Sequence, residues 1–194
     1  MASITAADLC LSDVFVTPHG ARISAIKDGA GGSVILQPNE FLRIPFDPSA
    51  FNSEGDSQRL TMILEATRPL LEAFADLDEF LVGYLTEHSQ RLFSKTLTAD
   101  EVRANYCSCV RHSDKGYLPT LRTKIDLSGK HALHCWDGDG NRVDAPESWR
   151  NRWINPRLHV THLWMMGPSF GVVVRLTDAL LRPDEGAADR SSPF

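Results

Sequence analysis

Leu158-His159-Val160-Thr161-His162-Leu163-Trp164-Met165, then Gly167-Pro168-Ser169-Phe170-Gly171, then Val172-Val173-Val174-Arg175-Leu176-Thr177-Asp178-Ala179-Leu180-Leu181, reads as strand, turn and strand. Branched and aromatic residues crowd both arms, and the glycines and proline between them suit a chain reversal. A hairpin of this length commits the end of the chain to a sheet. Within it Trp164 reads as core. By strict alternation His159 and His162, three apart, fall on opposite faces, which argues against a joint ligand role.

Upstream, Asp137-Gly138-Asp139-Gly140-Asn141 follows the strand-like His131-Ala132-Leu133-His134-Cys135-Trp136 and is a strong hairpin signal, because these residues tolerate the positive φ of a tight turn. It looks like the start of a calcium loop, but the later bidentate Glu is missing and the flanks are strands, so the hairpin is preferred. Further upstream, Tyr117 to Leu127 alternates, with Leu121, Ile125 and Leu127 on one face and Thr120, Arg122, Lys124 and Asp126 on the other. Two cations thus sit side by side on the outward face. Ser113-Asp114-Lys115-Gly116 is the turn before this strand.

Between Pro69 and about Leu92 the period changes. Leu70, Phe74, Leu77, Leu81, Tyr84 and Leu85 recur at three- and four-residue spacing, which predicts one long helix opened by Pro69. Thr98-Ala99-Asp100-Glu101 fits a capping box for a second, shorter helix holding Val102 and Tyr106. Before the helices, four short strand-like runs, from Leu11, Ala21, Ser33 and Phe41, are cut by Pro18-His19-Gly20, Lys27 to Gly32 and Pro38-Asn39, which predicts a β-meander. Arg59 to Glu65 is a further strand or a false start to the helix. The expectation is one β-rich domain over 1–182, with strands in 11–66, a helical insert in 67–110 and barrel strands in 117–182. Residues 183–194 are expected to form a flexible acidic tail.

The chain has 194 residues, 42% of them hydrophobic, enough for a core without disulfides or metal. Four cysteines without paired spacing fit reduced thiols. There is no secretory signal and no long apolar run, so an intracellular protein of nucleus or cytoplasm is expected, with no membrane contact. The net charge of -5 is unevenly spread. Residues 1–110 carry 8 basic and 15 acidic side chains, residues 111–182 carry 11 and 7, and residues 183–194 carry one and three. A basic region is set between acidic ones.

Cys107, Cys109 and His112, and His131, His134 and Cys135, are ligand-type residues at spacings that do not match a structural zinc site, so no metal is expected. No phosphate loop, dinucleotide fingerprint, serine-hydrolase elbow or zinc-protease helix motif occurs, so nothing in the motifs supports an enzyme. What stands out is cations interleaved with aromatics: Arg122, Lys124, Trp136, Trp149, Arg150, Arg152, Trp153, Arg157 and Arg175. All four tryptophans lie in this region. Cations that track phosphates and rings on which bases stack are what single-strand binding requires. For Trp149 and Trp153, core filling and base stacking both remain open.

The order of these signals resembles the phage-type single-stranded DNA-binding proteins found also in large nucleocytoplasmic DNA viruses. Tyr117-Leu118-Pro119-Thr120-Leu121-Arg122-Thr123-Lys124-Ile125 looks like the family's proline-led first barrel strand, Cys135-Trp136-Asp137-Gly138-Asp139-Gly140 like its hairpin, and Leu163-Trp164 through Phe170-Gly171 like its late strand pair. The resemblance implies an α+β, mainly β fold: an OB-like β-barrel with N-terminal strands and an inserted long helix plus a short helix. It implies binding of single-stranded nucleic acid, DNA in that family, in replication, recombination or repair, with no cofactor. The tail adds a similarity, since Asp184, Glu185 and Asp189 precede a terminal Phe194, a pattern that docks replication proteins. Homo-oligomerisation is left open. The alternative is a structural or adaptor protein using the same barrel, with Leu163 to Met166 as a partner surface if exposed.

Overall fold

A computed structural model describes residues 9–50 and 59–183. The tail residues Asp184, Glu185, Asp189 and Phe194 therefore lie outside the described residues. The strands are β1 (Leu9–Leu11), β2 (Phe15–Val16), β3 (Arg22–Asp28), β4 (Val34–Leu36), β5 (Leu42–Arg43), β6 (Ser49–Ala50) and β7 (Arg59–Glu65). Helices α1 (Arg68–Glu87), α2 (Ser89–Phe93) and α3 (Ala99–Asn105) follow. Then come β8 (Tyr106–Cys107), β9 (Val110–Arg111), β10 (Thr120–Asp126), β11 (His134–Trp136), β12 (Arg142–Val143), β13 (Trp153–Met166) and β14 (Ser169–Leu181). The domain is mainly β, as the sequence suggests.

The long hairpin organises everything else. β13 and β14 pair antiparallel from Ile154↔Leu181 to Met166↔Ser169, reversing at Gly167 and Pro168. Gly167 takes φ 58° there, a left-handed value that glycine adopts without steric cost. On its free edge β13 collects β5, β4 and β3 in turn. The expected N-terminal meander is thus corrected: β4 and β5 ladder onto β13, a non-local partner, because the long hairpin arm offers an edge that two- and three-residue strands cannot offer one another. β14 pairs in parallel with β8, β10 and β11, and β10 pairs antiparallel with β7 along its whole length.

The backbone path is open among the described residues. It ends on β1 and β6 without a ladder joining them. Closure into a barrel is therefore not a property of the hydrogen-bonded sheet. Side chains connect β5 and β7 and the residues flanking them: Arg43 Nη1 donates to Glu65 Oε1 at 2.6 Å, and Thr67 Oγ1 to Glu40 Oε1 at 2.5 Å.

The predicted single helix is two. α1 stops at Glu87, His88 adopts φ -99°, ψ 11°, and α2 restarts at Ser89, whose hydroxyl bonds back to Thr86 O at 2.8 Å. That local bond competes with continuation of the helix. Pro69 sits in the first turn as expected. The capping box is formed by both partners, Thr98 Oγ1 accepting from Glu101 N–H and Glu101 Oε2 from Thr98 N–H at 2.8 Å. Tyr106, expected in this helix, has already left it for β8.

Leu70, Phe74, Leu77, Leu81 and Leu85 of α1 and the inward residues of the strands form a single apolar cluster. Full burial of each such side chain contributes about 1.5–3 kcal/mol. The same alternation that sends Ile154, Leu158 and Val160 inward leaves the opposite face of the sheet to carry polar groups.

Candidate nucleic-acid interface

Strand register fixes the outward face residue by residue, since partners directly across a ladder share a face. His159 lies opposite Arg175, which pairs with Lys124, which pairs with Thr61. Arg122 is two residues from Lys124 on the same side of β10 and opposite Ile63. Arg157 lies opposite Asp178, and Asp178 is opposite His134 of β11. Trp136 lies opposite Leu180 and donates its indole N–H to Asp178 Oδ1 at 3.1 Å. Sequence positions spread over more than fifty residues thus become one surface.

Two bulges in the β13–β14 ladder, the first in β14 at Thr177 and the second in β13 at Thr161, decide its content. The register shifts between Arg157 and Leu158 and again between Val160 and His162. The extra residue at the second shift, Thr161, bonds its hydroxyl to Val173 O at 3.0 Å instead of continuing the alternation. His159 and His162 consequently share the outward face, opposite Arg175 and Val173, rather than opposing each other as strict alternation predicts. The same shift turns Trp164 outward, opposite Gly171, and it is absent from the core cluster. The expectation of a core tryptophan fails there.

The loop before β13 shows the reverse exchange. Asp47 accepts from Trp149 N–H at 2.6 Å, Arg150 N–H at 3.1 Å and the Ser148 hydroxyl at 3.0 Å, and these bonds hold its carboxyl below its ordinary range. Asn151 takes φ 64°, and Arg152 N–H closes the turn onto Trp149 O. The turn drives the Trp149 ring into the core, 6% exposed, so that ring is not presented to a ligand in this structure. Trp153, two residues beyond the turn, is 42% exposed, with the Arg182 guanidinium 6.0 Å from its ring centroid. Arg150, Arg152, Trp153 and Arg182 line one open recess, and Trp136, Arg157 and Asn155 line a second beside it.

Between these recesses and the hairpin tip the face is cationic. Arg175 Nη1 pairs with Asp126 Oδ2 at 3.0 Å, and Arg59 Nε reaches the other oxygen at 3.3 Å. Asp126 is buried, so removing Arg175 would leave its carboxylate with the exposed Arg59 as its ion-pair partner. The Arg175 Nε–H has no partner among the described residues. Burial, reinforced by Arg122, lowers the affinity of Lys124 for its proton, while its ammonium bonds Thr61 Oγ1 at 2.9 Å. Burial likewise holds both imidazoles below their ordinary value, with Arg175 adding to it in each case. Positive charge is being crowded here.

Of the residues named from sequence, Arg122, Lys124, Trp136, Arg157 and Arg175 share the face, and Arg150, Arg152 and Trp153 stand at its end. Sequence reasoning missed Arg111, opposite Thr120 on the same face, and Arg182. It also discarded the two histidines. Arg182 follows Leu181 with no aromatic neighbour in sequence, so its contact with Trp153 had no local signal, and nothing local marked the bulge. Among the described residues no three His, Cys, Asp or Glu side chains converge on a metal position, and no helix is long and apolar enough to cross a membrane.

No family model matches the sequence, and no curated protein matches it. Solved structures similar to the chain include single-stranded DNA-binding proteins of bacteriophages. One is the protein of bacteriophage Enc34 in complex with single-stranded DNA, at 9% identity and TM-score 0.49, covering 91% of this chain and 93% of that one. Another is the single-stranded DNA-binding protein encoded by bacteriophage T7, at 14% identity and TM-score 0.46, covering 82% of this chain and 98% of that one. The likeness is loose, and it is to the family that the sequence resembles.

Proposed function

We propose that this chain binds single-stranded nucleic acid, DNA by the resemblance, across the outward face of β10, β13 and β14, without catalysis, in replication, recombination or repair. The observation that carries the reading is the register that sets Arg122, Lys124, Arg175, His159 and Arg157 on one surface, flanked by the exposed ring of Trp153. The cations neutralise phosphates, and Trp153 and Trp136 offer planes on which unpaired bases stack. A duplex, whose bases are already stacked, gains only the charge term. The strands that carry the face form an OB-like barrel in this reading, with β5 and β7 held together by side chains.

The adaptor reading relied on Leu163 to Met166 as an exposed apolar patch. Leu163 and Met165 are buried, 0% and 1% exposed, so that stretch alternates and offers no continuous patch. Fluorescence anisotropy of labelled oligo-dT and of a matching duplex, at two salt concentrations, tests the binding reading. Four to six neutralised phosphates give a log–log salt slope of about -3 to -4 for a single strand. Equal affinity for the duplex, or no binding at low salt, would overturn it.

A further inference from the structure

We propose that Trp164 and Phe15, at the hairpin-tip end of the outward face, form a second base-stacking subsite, so that one strand is gripped by aromatic rings at both ends of β13. The proposal rests on the single-strand reading above and extends it to a part of the surface that neither the sequence pattern nor the cationic cluster marks.

Register again supplies the geometry. Phe15 of β2 lies opposite Ile23 of β3, Ile23 lies opposite Trp164, and Trp164 lies opposite Gly171 of β14. These four residues make one apolar row across four strands on the outward face. Phe15 is 61% exposed and, with Trp164, is outside the core cluster. An aromatic ring left on the wet side of a sheet forgoes the stabilisation that inward placement provides. For Trp164 the outward placement is built in by the bulge at Thr161.

The ring of Trp164 is also held in place. A Cβ added at Gly171 would come within 3.1 Å and 3.2 Å of its ring atoms and 2.5 Å of the Cys107 carbonyl oxygen. The indole therefore lies against bare backbone, a support that limits its rotation and lowers the ordering cost of stacking a ligand on it. Charge selects the occupant. Moving from this row toward Trp153, the face carries His162, then His159, Arg175 and Lys124, and then Arg157. A flexible polyanion with unpaired planar bases complements that sequence of groups, phosphates over the cations and a base at each aromatic end. Trp164 and Trp153 are eleven residues apart on β13, on the order of 30–35 Å at ~3.3 Å per residue with one bulge at Thr161. A strand of several nucleotides covers that distance, within the range of about 4–16 found for barrels of the OB type.

The test uses the full chain with oligo-dT of increasing length, each carrying one iododeoxyuridine at its 5′ or 3′ end, photocrosslinked and mapped by mass spectrometry. Oligonucleotides long enough to span β13 are expected to give adducts at Trp164 or Phe15 from one end and at Trp153 from the other. Phe15→Ala, at an exposed side chain whose loss leaves the core intact, is expected to weaken long oligonucleotides about five-fold or more and to leave the shortest binding ones unchanged. Adducts confined to the Trp153 end, with long-oligonucleotide affinity unaltered by Phe15→Ala, would overturn the second subsite and leave single-strand binding standing. Loss of self-association in Phe15→Ala with unchanged DNA affinity would overturn it too, assigning the row to contact between copies. Failure of the wild-type chain to bind any oligonucleotide would remove both readings together.

Discussion

Along β13 the inward residues Ile154, Leu158, Val160, Leu163 and Met165 are at most 1% exposed, whereas Trp153, Asn155, Arg157, His159, His162 and Trp164 on the other side all keep contact with solvent. Both sets ride on the same backbone and ladder to the same neighbours. The inward set is held by burial, which rewards any well-fitting apolar side chain and tolerates volume-conserving exchange. The outward set keeps two depressed imidazoles and partly wet rings beside the crowded Lys124 cation, and none of these side chains belongs to the core cluster. Such a difference between two faces of one strand separates what the fold needs from what a ligand would use.

The comparison is broken most forcefully at its inward side. Leu158→Ala should cost about 2–5 kcal/mol of stability in urea melts, while the protein that stays folded keeps its affinity for oligo-dT. A loss of affinity without a loss of stability would erase the distinction. On the outward side, Trp153→Ala should remove about 1–3 kcal/mol of binding and shift stability by no more than about 0.5 kcal/mol. Trp149→Ala should do the opposite, costing about 3–5 kcal/mol of stability, because its ring is packed in the core.

Arg157→Ala should weaken binding uniformly across oligo-dT and oligo-dA and make the log–log salt slope shallower by about 0.7, as expected for one lost phosphate contact. An unchanged slope would take Arg157 out of the interface. The smallest effect is that of pH on the imidazoles. His159 and His162 have folded pKa values below 6.5, so between that folded value and 6.5 the unfolded chain binds more protons. Their contribution to stability is therefore fully present above 6.5 and lost as pH falls toward the folded value. Comparing urea midpoints near neutrality and near pH 5.5 should show a loss under about 1 kcal/mol from this source, screened by partial exposure, and His159→Gln with His162→Gln should shrink it. Affinity for a phosphate chain should move the other way, rising as the imidazoles charge.

Much of the architecture is legible in local sequence because local rules govern it. The long hairpin, the Asp137 to Asn141 reversal, the capping box at Thr98 and the alternation of β10 all rest on residues within a few positions of one another. The candidate site was legible in kind and misassigned in part. Arg122 and Lys124 face outward as alternation predicts, yet Trp164, expected in the core, faces outward, and Trp149, for which core and stacking were both open, is buried. One is turned inward by hydrogen bonds to Asp47, about a hundred residues away in sequence, and the other outward by a bulge.

The sequence by itself determined the periodicities: which segments are strand or helix, where the chain reverses, and that cations and rings concentrate in its later half. Those follow from steric and hydrophobic preferences acting over one or two turns of backbone. Only the tertiary structure decided which strands are neighbours, that Arg175 stands beside Lys124 and opposite His159, and that the edge of β13 takes up β4 and β5. The physical reason is that a single inserted residue reverses the facing of everything after it, and an insertion of that kind is settled by the competition of whole strands for burial and hydrogen bonds.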